Sequence, residues 1–215
     1  MDKPLIIVGT GMQAEETHFY FSTFGGRAID AFVLDPEYLR EPTFLQRPVL
    51  EFAEARRRFP PRTHDLYVAI GMMAMDARRR WFLAARDAGY TMPSFVHPTA
   101  LVASNVTVGA NTVIKEMAVV APFAQVGDDL IVCQQASIGH HARVGDHCFL
   151  APATILSGAV EVGERCFLGT GCVVRDRVRI GDGCIIGAGA VVMGDCPPGG
   201  VYRAARTVRT REVKP

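Results

Sequence analysis

Two adjacent histidines, His140 and His141, sit in the segment Ser137-Ile138-Gly139-His140-His141-Ala142-Arg143-Val144-Gly145-Asp146. An imidazole titrates near neutral pH, so either ring can take a proton from an amine or a hydroxyl as it attacks a carbonyl carbon. His140 follows the aliphatic Ile138 by two residues, at a place where the chain turns, so its ring faces outward. On this spacing alone a catalytic base and a solvated turn residue fit equally well. A metal site needs several ligands around one point at about 2.0–2.1 Å for histidine nitrogen. His141 and His147 are six residues apart, which puts them on different turns, and the six cysteines lack zinc-ligand spacing, so no metal is expected. A second constellation is Gly9-Thr10-Gly11, which follows the apolar run Leu5 to Val8. Such a turn brings backbone N–H groups up to a phosphate, but the third glycine of a dinucleotide fingerprint is missing, so NAD is not expected.

The elements that must position these residues fall into two halves with different periods. In the first, Leu5 to Val8, Ala31 to Leu34 and Leu66 to Ile70 read as buried strands ending at Gly9, at Asp35-Pro36 and at Gly71. A helix is expected from about Ala14, with Ala14, His18 and Phe21 on one face and Gly25-Gly26 as its stop. Another carries the stripe Ala77, Trp81, Ala84, Ala85 and Ala88, with Arg78, Arg79 and Arg80 mostly on the other side and Gly89 as its cap. Strand, glycine turn and helix in this order predict a small parallel α/β, Rossmann-like domain.

From His97 onward every sixth residue is aliphatic, from Val102 through Ile138 to Val192, sixteen times without an insertion. Two residues earlier stands a mostly small residue, such as Ala118, Ala136, Ala142, Thr154 or Ala190, and glycine follows in half the repeats. A strict six-residue period predicts a hexapeptide β-helix, in which stacked coils line up their aliphatic residues into one core. Each buried Val, Ile or Leu contributes about 1.5–3 kcal/mol before entropy is counted. Cys148, Cys166, Cys172 and Cys184 occupy the small inward position and read as compact hydrophobes, whereas Cys133 and Cys196 fall outside that register.

Composition narrows the function classes. The chain has 215 residues, 49% of them hydrophobic, and a formal net charge of +1. That balance argues against a nucleic-acid binder, which needs a concentrated basic face. The basic stretch at the C-terminus, Arg203, Arg206, Arg209, Arg211 and Lys214, also fits a solvated tail. No apolar run approaches the roughly 20 residues of a membrane span, and glycine comes too early for a signal peptide, so a reduced, cytoplasmic protein is expected. The divisions expected are a Rossmann-like domain over 1–96, a β-helix over 97–196 and a basic tail over 197–215.

The GTGMQAEE loop after the first strand, the VAIG strand end, the HPTA junction at 97–100 and the hexapeptide array together resemble the bacterial nucleotide-sugar acyltransferases. That family includes the bacillosamine-type and perosamine-type N-acetyltransferases and the sialic-acid O-acetyltransferases. The resemblance spans essentially the whole chain. It implies a left-handed parallel β-helix of about five eighteen-residue coils, a homotrimer with active sites between subunits, acetyl-CoA as cosubstrate and a nucleotide sugar held by the N-terminal domain.

Carried onto this sequence, the resemblance puts His140 at the general base, with His141 as the second candidate. It puts Gly158, eighteen residues later, at the oxyanion-binding amide. The nucleotide-sugar positions are Gly9, Gly11, Met12, Gln13, Asp35, Ile70 and Gly71. The coenzyme positions are Phe149, Thr170, Ala188, Arg203 and Arg206. Several residues depart from the family pattern. Gly139 and His141 replace the acidic neighbours of the base, Cys133 replaces an asparagine seven residues before it, and Phe149 replaces a second histidine. Met72-Met73 replaces Asp-Asn after Gly71, and Tyr202-Arg203-Ala204-Ala205-Arg206 replaces G-x-P-A-R. The implied activity is acetyl-CoA-dependent N-acetylation of an amino-deoxy nucleotide sugar for surface polysaccharide synthesis. An O-acyltransferase, an acyltransferase with a non-nucleotide acceptor and a non-catalytic binding protein on the same scaffold are the alternatives.

Overall fold

The structure is a computed structural model and describes residues 2–71 and 75–205. The N-terminal domain runs β1 (Leu5–Val8), α1 (Met12–Thr23), β2 (Ile29–Leu34), β3 (Thr43–Phe44), β4 (Arg47–Glu51), α2 (Phe52–Arg58), β5 (Asp65–Val68) and α3 (Met75–Asp87). The sheet order is β3-β4-β2-β1-β5, parallel throughout except for β3 against β4. The chain moves outward from β1 through β2 to β4 and then returns to place β5 on the other side of β1. The expected parallel sheet is therefore present, and the domain adds three elements the hydrophobic pattern did not reveal, β3, β4 and α2. Pro48 in β4 and the Arg56-Arg57-Arg58 run in α2 mask their periodicity.

β1 is buried on both sides, and alternate residues serve different layers. Ile6 and Val8 pack with Trp81, Phe82 and Ala85 of α3, while Leu5 and Ile7 pack with Ala14, Tyr20 and Phe21 of α1. The buried face of α1 is Ala14, Thr17, Tyr20 and Phe21, so His18 is displaced to the half-buried margin, stacked on Phe32. Gly89, at φ +85°, follows α3 as its predicted cap. Arg78 corrects the sequence reading, because it is fully buried although the stripe put it on the solvent side of α3. Its partners belong to the other domain, which a helical periodicity cannot see.

From Phe95 the chain winds as a left-handed β-helix of two-residue strands. One face consists of Phe95–Val96, Val113–Ile114, Ile131–Val132, Phe149–Leu150, Phe167–Leu168, Ile185–Ile186 and Val201–Tyr202. The second face runs from Leu101–Val102 to Val191–Val192, and the third from Thr107–Val108 to Arg179–Ile180. Partners in each ladder are eighteen residues apart along the regular stack, as in Ile138 with Val120 and Leu156. The predicted aliphatic residues form one core, joined by Cys148, Cys166, Cys172 and Cys184 at the small positions. Cys196 joins that core through an isolated bridge to Ile180, and Val201–Tyr202 extends the first face, so the stack continues beyond residue 196. All six cysteines are free and buried.

From Asn111 to Gly189 each corner between faces uses a left-handed residue at a fixed place in the repeat, including Asp129, Gln135, His141, His147 and Ala153. The N-terminal domain is seated on the first face. Tyr20, Phe21, Tyr67 and Phe95 there meet Val113, Ile131, Cys133, Phe149 and Ala151 of the prism in one buried cluster.

Candidate active site

His140 and His141 form the corner where the second face turns into the third. The left-handed φ of +59° at His141 closes this turn, and Ala142 N–H returns to Gly139 C=O at 3.2 Å. Both rings are exposed, and their Nδ1 atoms lie 3.2 Å apart. With both rings neutral, one Nδ1 must carry hydrogen and the other must accept it. When His140 donates, its Nε2 holds the free lone pair that a general base needs. The partner is held in turn, since His141 stacks on Phe123 with centroids 4.8 Å apart at 27°. A group that can orient the His140 imidazole is thus available from the neighbouring His141.

Gly158 lies directly above. Ala159 N–H donates to His140 C=O at 2.8 Å, which fixes the two corners in register. A Cβ at position 158 would stand 2.6 Å from both Cε1 and Nε2 of His140, so the imidazole occupies the space a side chain would need. Among the described residues no acceptor takes the Gly158 N–H. The His140 imidazole and the backbone of Gly158, whose N–H is left without an acceptor, therefore adjoin at one corner of the surface, the two kinds of group that a base and an oxyanion donor require.

A second site lies at the C-terminal ends of β1 and β5. These neighbouring strands are where the sheet changes direction, the place where open α/β sheets bind ligands. Gly9, at φ +111°, lets the chain cross closely over β5, since a Cβ there would be 2.8 Å from the carbonyl oxygen of Ala69. Gly11 is the extended residue before α1 and supplies no side-chain cap, so the N–H groups of the first turn, at Met12 and Gln13, are left for an anion. Gly71 comes close to this turn, with its Cβ direction 4.0 Å from the Cβ of Gln13, and Ile70 lies beside it in the loop after β5. Asp35, at the end of β2, is held by Arg80 of α3 at 2.6 Å. A cleft of about 270 Å³ adjoins this loop, with Thr10, Tyr38, Arg40, Glu41 and Thr43 in its wall.

The remaining predicted residues are dispersed. Thr170 and Ala188 do stack, with Gly189 N–H donating to Thr170 C=O at 2.9 Å, on the corner between the first and second faces. Phe149 is 8% exposed and stacked on Phe167 under the N-terminal domain, so it has no open surface in the single chain through which to meet a coenzyme. Arg203 is exposed after the last strand, whereas Arg206, the rest of the basic tail and Met72-Met73 lie outside the described residues.

Sequence reasoning missed a polar cluster where α1 meets the prism. Tyr20 donates to both carboxylate oxygens of Glu116 at 2.7 and 2.9 Å, His97 Nε2 lies 3.9 Å from the same carboxylate, and buried Lys115 pairs with Glu16 at 2.5 Å. Burial pushes the Glu116 pKa up, but the Tyr20 hydrogen bond and the nearby His97 and Lys115 outweigh it and leave a net lowering. Burial pushes the neighbouring Cys133 thiol up to about 11, which keeps it protonated and unreactive near neutral pH. Among the described residues no group of three or more histidine, cysteine or acidic side chains is arranged to hold a metal ion. None of the described helices is long and apolar enough to cross a membrane.

The family model for bacterial transferase hexapeptide (six repeats) matches residues 159–194. No curated protein matches the chain. Among solved structures, PerB from Caulobacter crescentus in complex with CoA and GDP-perosamine is 31% identical, with 94% of this chain and 94% of that chain covered and a TM-score of 0.84. The chain belongs to the nucleotide-sugar acyltransferase family. A histidine variant of perosamine N-acetyltransferase from the same organism, also with CoA and GDP-perosamine, is 30% identical over 94% of this chain and 93% of that one, at a TM-score of 0.84. The acetyltransferase domain of PglB from Neisseria gonorrhoeae is 26% identical over 94% and 97% of the two chains, at a TM-score of 0.84. This member of the family is an acyltransferase with a Rossmann-like domain on a left-handed β-helix.

Proposed function

We propose that this acyltransferase moves the acetyl group of acetyl-CoA onto the amine of an amino-deoxy sugar carried by a nucleoside diphosphate, as a step in surface polysaccharide synthesis. His140 is the general base. The observation that carries the reading is the His140 imidazole filling the space above which Gly158 offers its free N–H. The relatives with CoA and GDP-perosamine, and the crevice at the ends of β1 and β5, support both substrates.

The thioester supplies an activated acetyl carbon. The sugar nitrogen forms a bond to that carbon, the carbon–sulfur bond breaks, and the coenzyme leaves as the thiol. His140 Nε2 takes the proton that the nitrogen loses and returns it to the departing sulfur, while His141 holds the tautomer that leaves Nε2 free. The Gly158 N–H faces the carbonyl oxygen as negative charge builds there. Thr170, Ala188 and the arginines after the last strand, Arg203 and Arg206, are assigned to the coenzyme. Gly9, Gly11, Met12, Gln13, Asp35, Ile70 and Gly71 are assigned to the nucleotide sugar.

The working unit is a homotrimer. In a three-sided prism the corner between the second and third faces is opposite the first face, on which the N-terminal domain sits. The crevice of one chain is thus separated from its own His140 by the thickness of the prism, and a neighbouring copy can bring the two together. The second face supplies the contact surface, since its outward column Leu101, Val119, Ser137, Ile155, Val173 and Val191 is apolar but for Ser137, and Leu101 and Val191 remain 69% and 65% exposed.

The test is thiol release from acetyl-CoA with a panel of amino-sugar nucleotides that includes GDP-perosamine. One acceptor should be turned over, and His140→Ala should lower kcat by about 10²–10⁴-fold with the assembly intact. Turnover of hydroxyl acceptors alone would move the assignment to O-acylation. Unchanged kcat in His140→Ala would remove His140 from the reaction.

A further inference from the structure

Three residues that the acyl-transfer site does not use stand one above another where the third face turns into the first. Asn111, Asp129 and His147 are eighteen residues apart, share φ values of 55°, 58° and 60°, and are all buried. Asn111 acts like an extra strand residue for the N-terminal sheet. Its Oδ1 accepts the N–H of Val68 at 2.8 Å, and its Nδ2 donates to the Val68 carbonyl at 3.1 Å and to Asp129 Oδ1 at 2.7 Å. Asp129 Oδ2 accepts from His147 Nδ1 at 2.8 Å and from Arg78 Nε at 3.1 Å. Arg78 in turn donates to the carbonyls of His147 and Cys148 at 2.7 and 3.2 Å.

Adhesion between the domains does not require this network, because the apolar seat around Phe95, Ile131 and Phe149 already supplies it. Burying a guanidinium and a carboxylate is costly and adds little net stability even when they are paired. What directional hydrogen bonds add is orientation, since an apolar surface tolerates sliding and a bidentate amide does not. The grip falls on both sides of one segment. Val68 ends β5 two residues before Ile70 and Gly71 of the crevice, and Arg78 lies in the first turn of α3.

We propose that Asn111, Asp129, His147 and Arg78 form a positioning clamp that fixes the nucleotide-sugar crevice in orientation on the prism. The clamp rests on the reading of that crevice given under Proposed function. It touches no substrate and acts through β5 and α3. Thr170 and Ala188 stand on a different corner, so the coenzyme side is independent of it.

The test uses the full chain with Asp129→Asn, which suits the left-handed corner and keeps one oxygen for Asn111 but loses the charge shared by Arg78 and His147. A companion, His147→Asn, keeps an amide donor where Nδ1 stands. Hydrogen exchange is followed over 65–71 and 75–87 against 131–192, and thiol release is measured with acetyl-CoA and GDP-perosamine. In Asp129→Asn, exchange should accelerate over 65–71 and 75–87 alone, and the acceptor KM should rise about tenfold or more while the acetyl-CoA KM stays within about twofold. His147→Asn, which keeps the bond to Asp129, should shift both the exchange and the acceptor KM less than Asp129→Asn does. If Asp129→Asn does not fold, Arg78→Met/Asp129→Asn, which leaves no unpaired buried charge, gives the same measurements. Unchanged exchange over 65–71, or equal shifts in both KM values, would overturn the clamp. If the unmodified chain acetylates no amino-sugar nucleotide, the function proposed above fails, and the exchange pattern alone decides the clamp.

Discussion

At the scale of single residues, position 158 must stay without a side chain because of the residue one coil below. An alanine there would put its Cβ 2.6 Å from the His140 ring, and the imidazole, exposed on its outer side, is what must move. Backbone register at this corner is held by the bond from Ala159 N–H to His140 C=O, so the fold should survive the change. Gly158→Ala is therefore expected to lower kcat by about 10²-fold, the cost of misplacing a reacting group by roughly 1 Å, with little change in melting temperature. Steady-state kinetics beside a thermal melt would check it. Equal kcat for the variant would mean that His140 and Gly158 are neighbours without a shared task. The stacking of Gly158 over His140 followed from the eighteen-residue coil only once the family resemblance had singled out His140. That His141 stands ready to orient His140 followed from their adjacency, whereas the contact itself depends on the left-handed turn at His141 that brings the two rings together.

At the scale of elements, the turn between β1 and α1 depends on a close crossing of two strand ends. Gly9 combines φ +111° with the nearby Ala69 carbonyl, so Gly9→Ala meets both backbone strain and a clash. It should destabilise the N-terminal domain by about 1–3 kcal/mol, measured as a shift in the denaturant midpoint that leaves the prism's own transition in place. Coincident loss of both transitions would show the two domains to be one cooperative unit. This element was readable in the sequence because an apolar run, a glycine turn and a helical pattern follow one another locally. β4 and α2 were not readable, because Pro48 and a run of arginines hide half-buried elements whose stability comes from β2 and Trp81. The Tyr20–Glu116 contact joins residues 96 apart, and no local periodicity carries such information.

At the scale of the whole molecule, an apolar column on the second face belongs against another surface. Leu101 and Val191 lie at its two ends and are its most exposed members. Leu101→Asp with Val191→Asp should convert the proposed homotrimer, about three times the 23.4 kDa chain, into single chains, read by light scattering after size exclusion. Turnover should fall with it, since the crevice and His140 of one chain sit on opposite sides of its prism. An intact trimer in the double variant would place the subunit contact elsewhere. The eighteen-residue coil has a further consequence for how such a chain can change. Adding or removing a full coil shifts everything above it along the axis and preserves its angular phase. Adding six residues between Asn111 and Asp129 would instead rotate the upper prism by a third of a turn. Asp129 and His147 would then no longer face Arg78, and His140 would come round to another edge. Length variation between the N-terminal domain's seat and the base is thus quantised, and only steps of eighteen keep the two in phase.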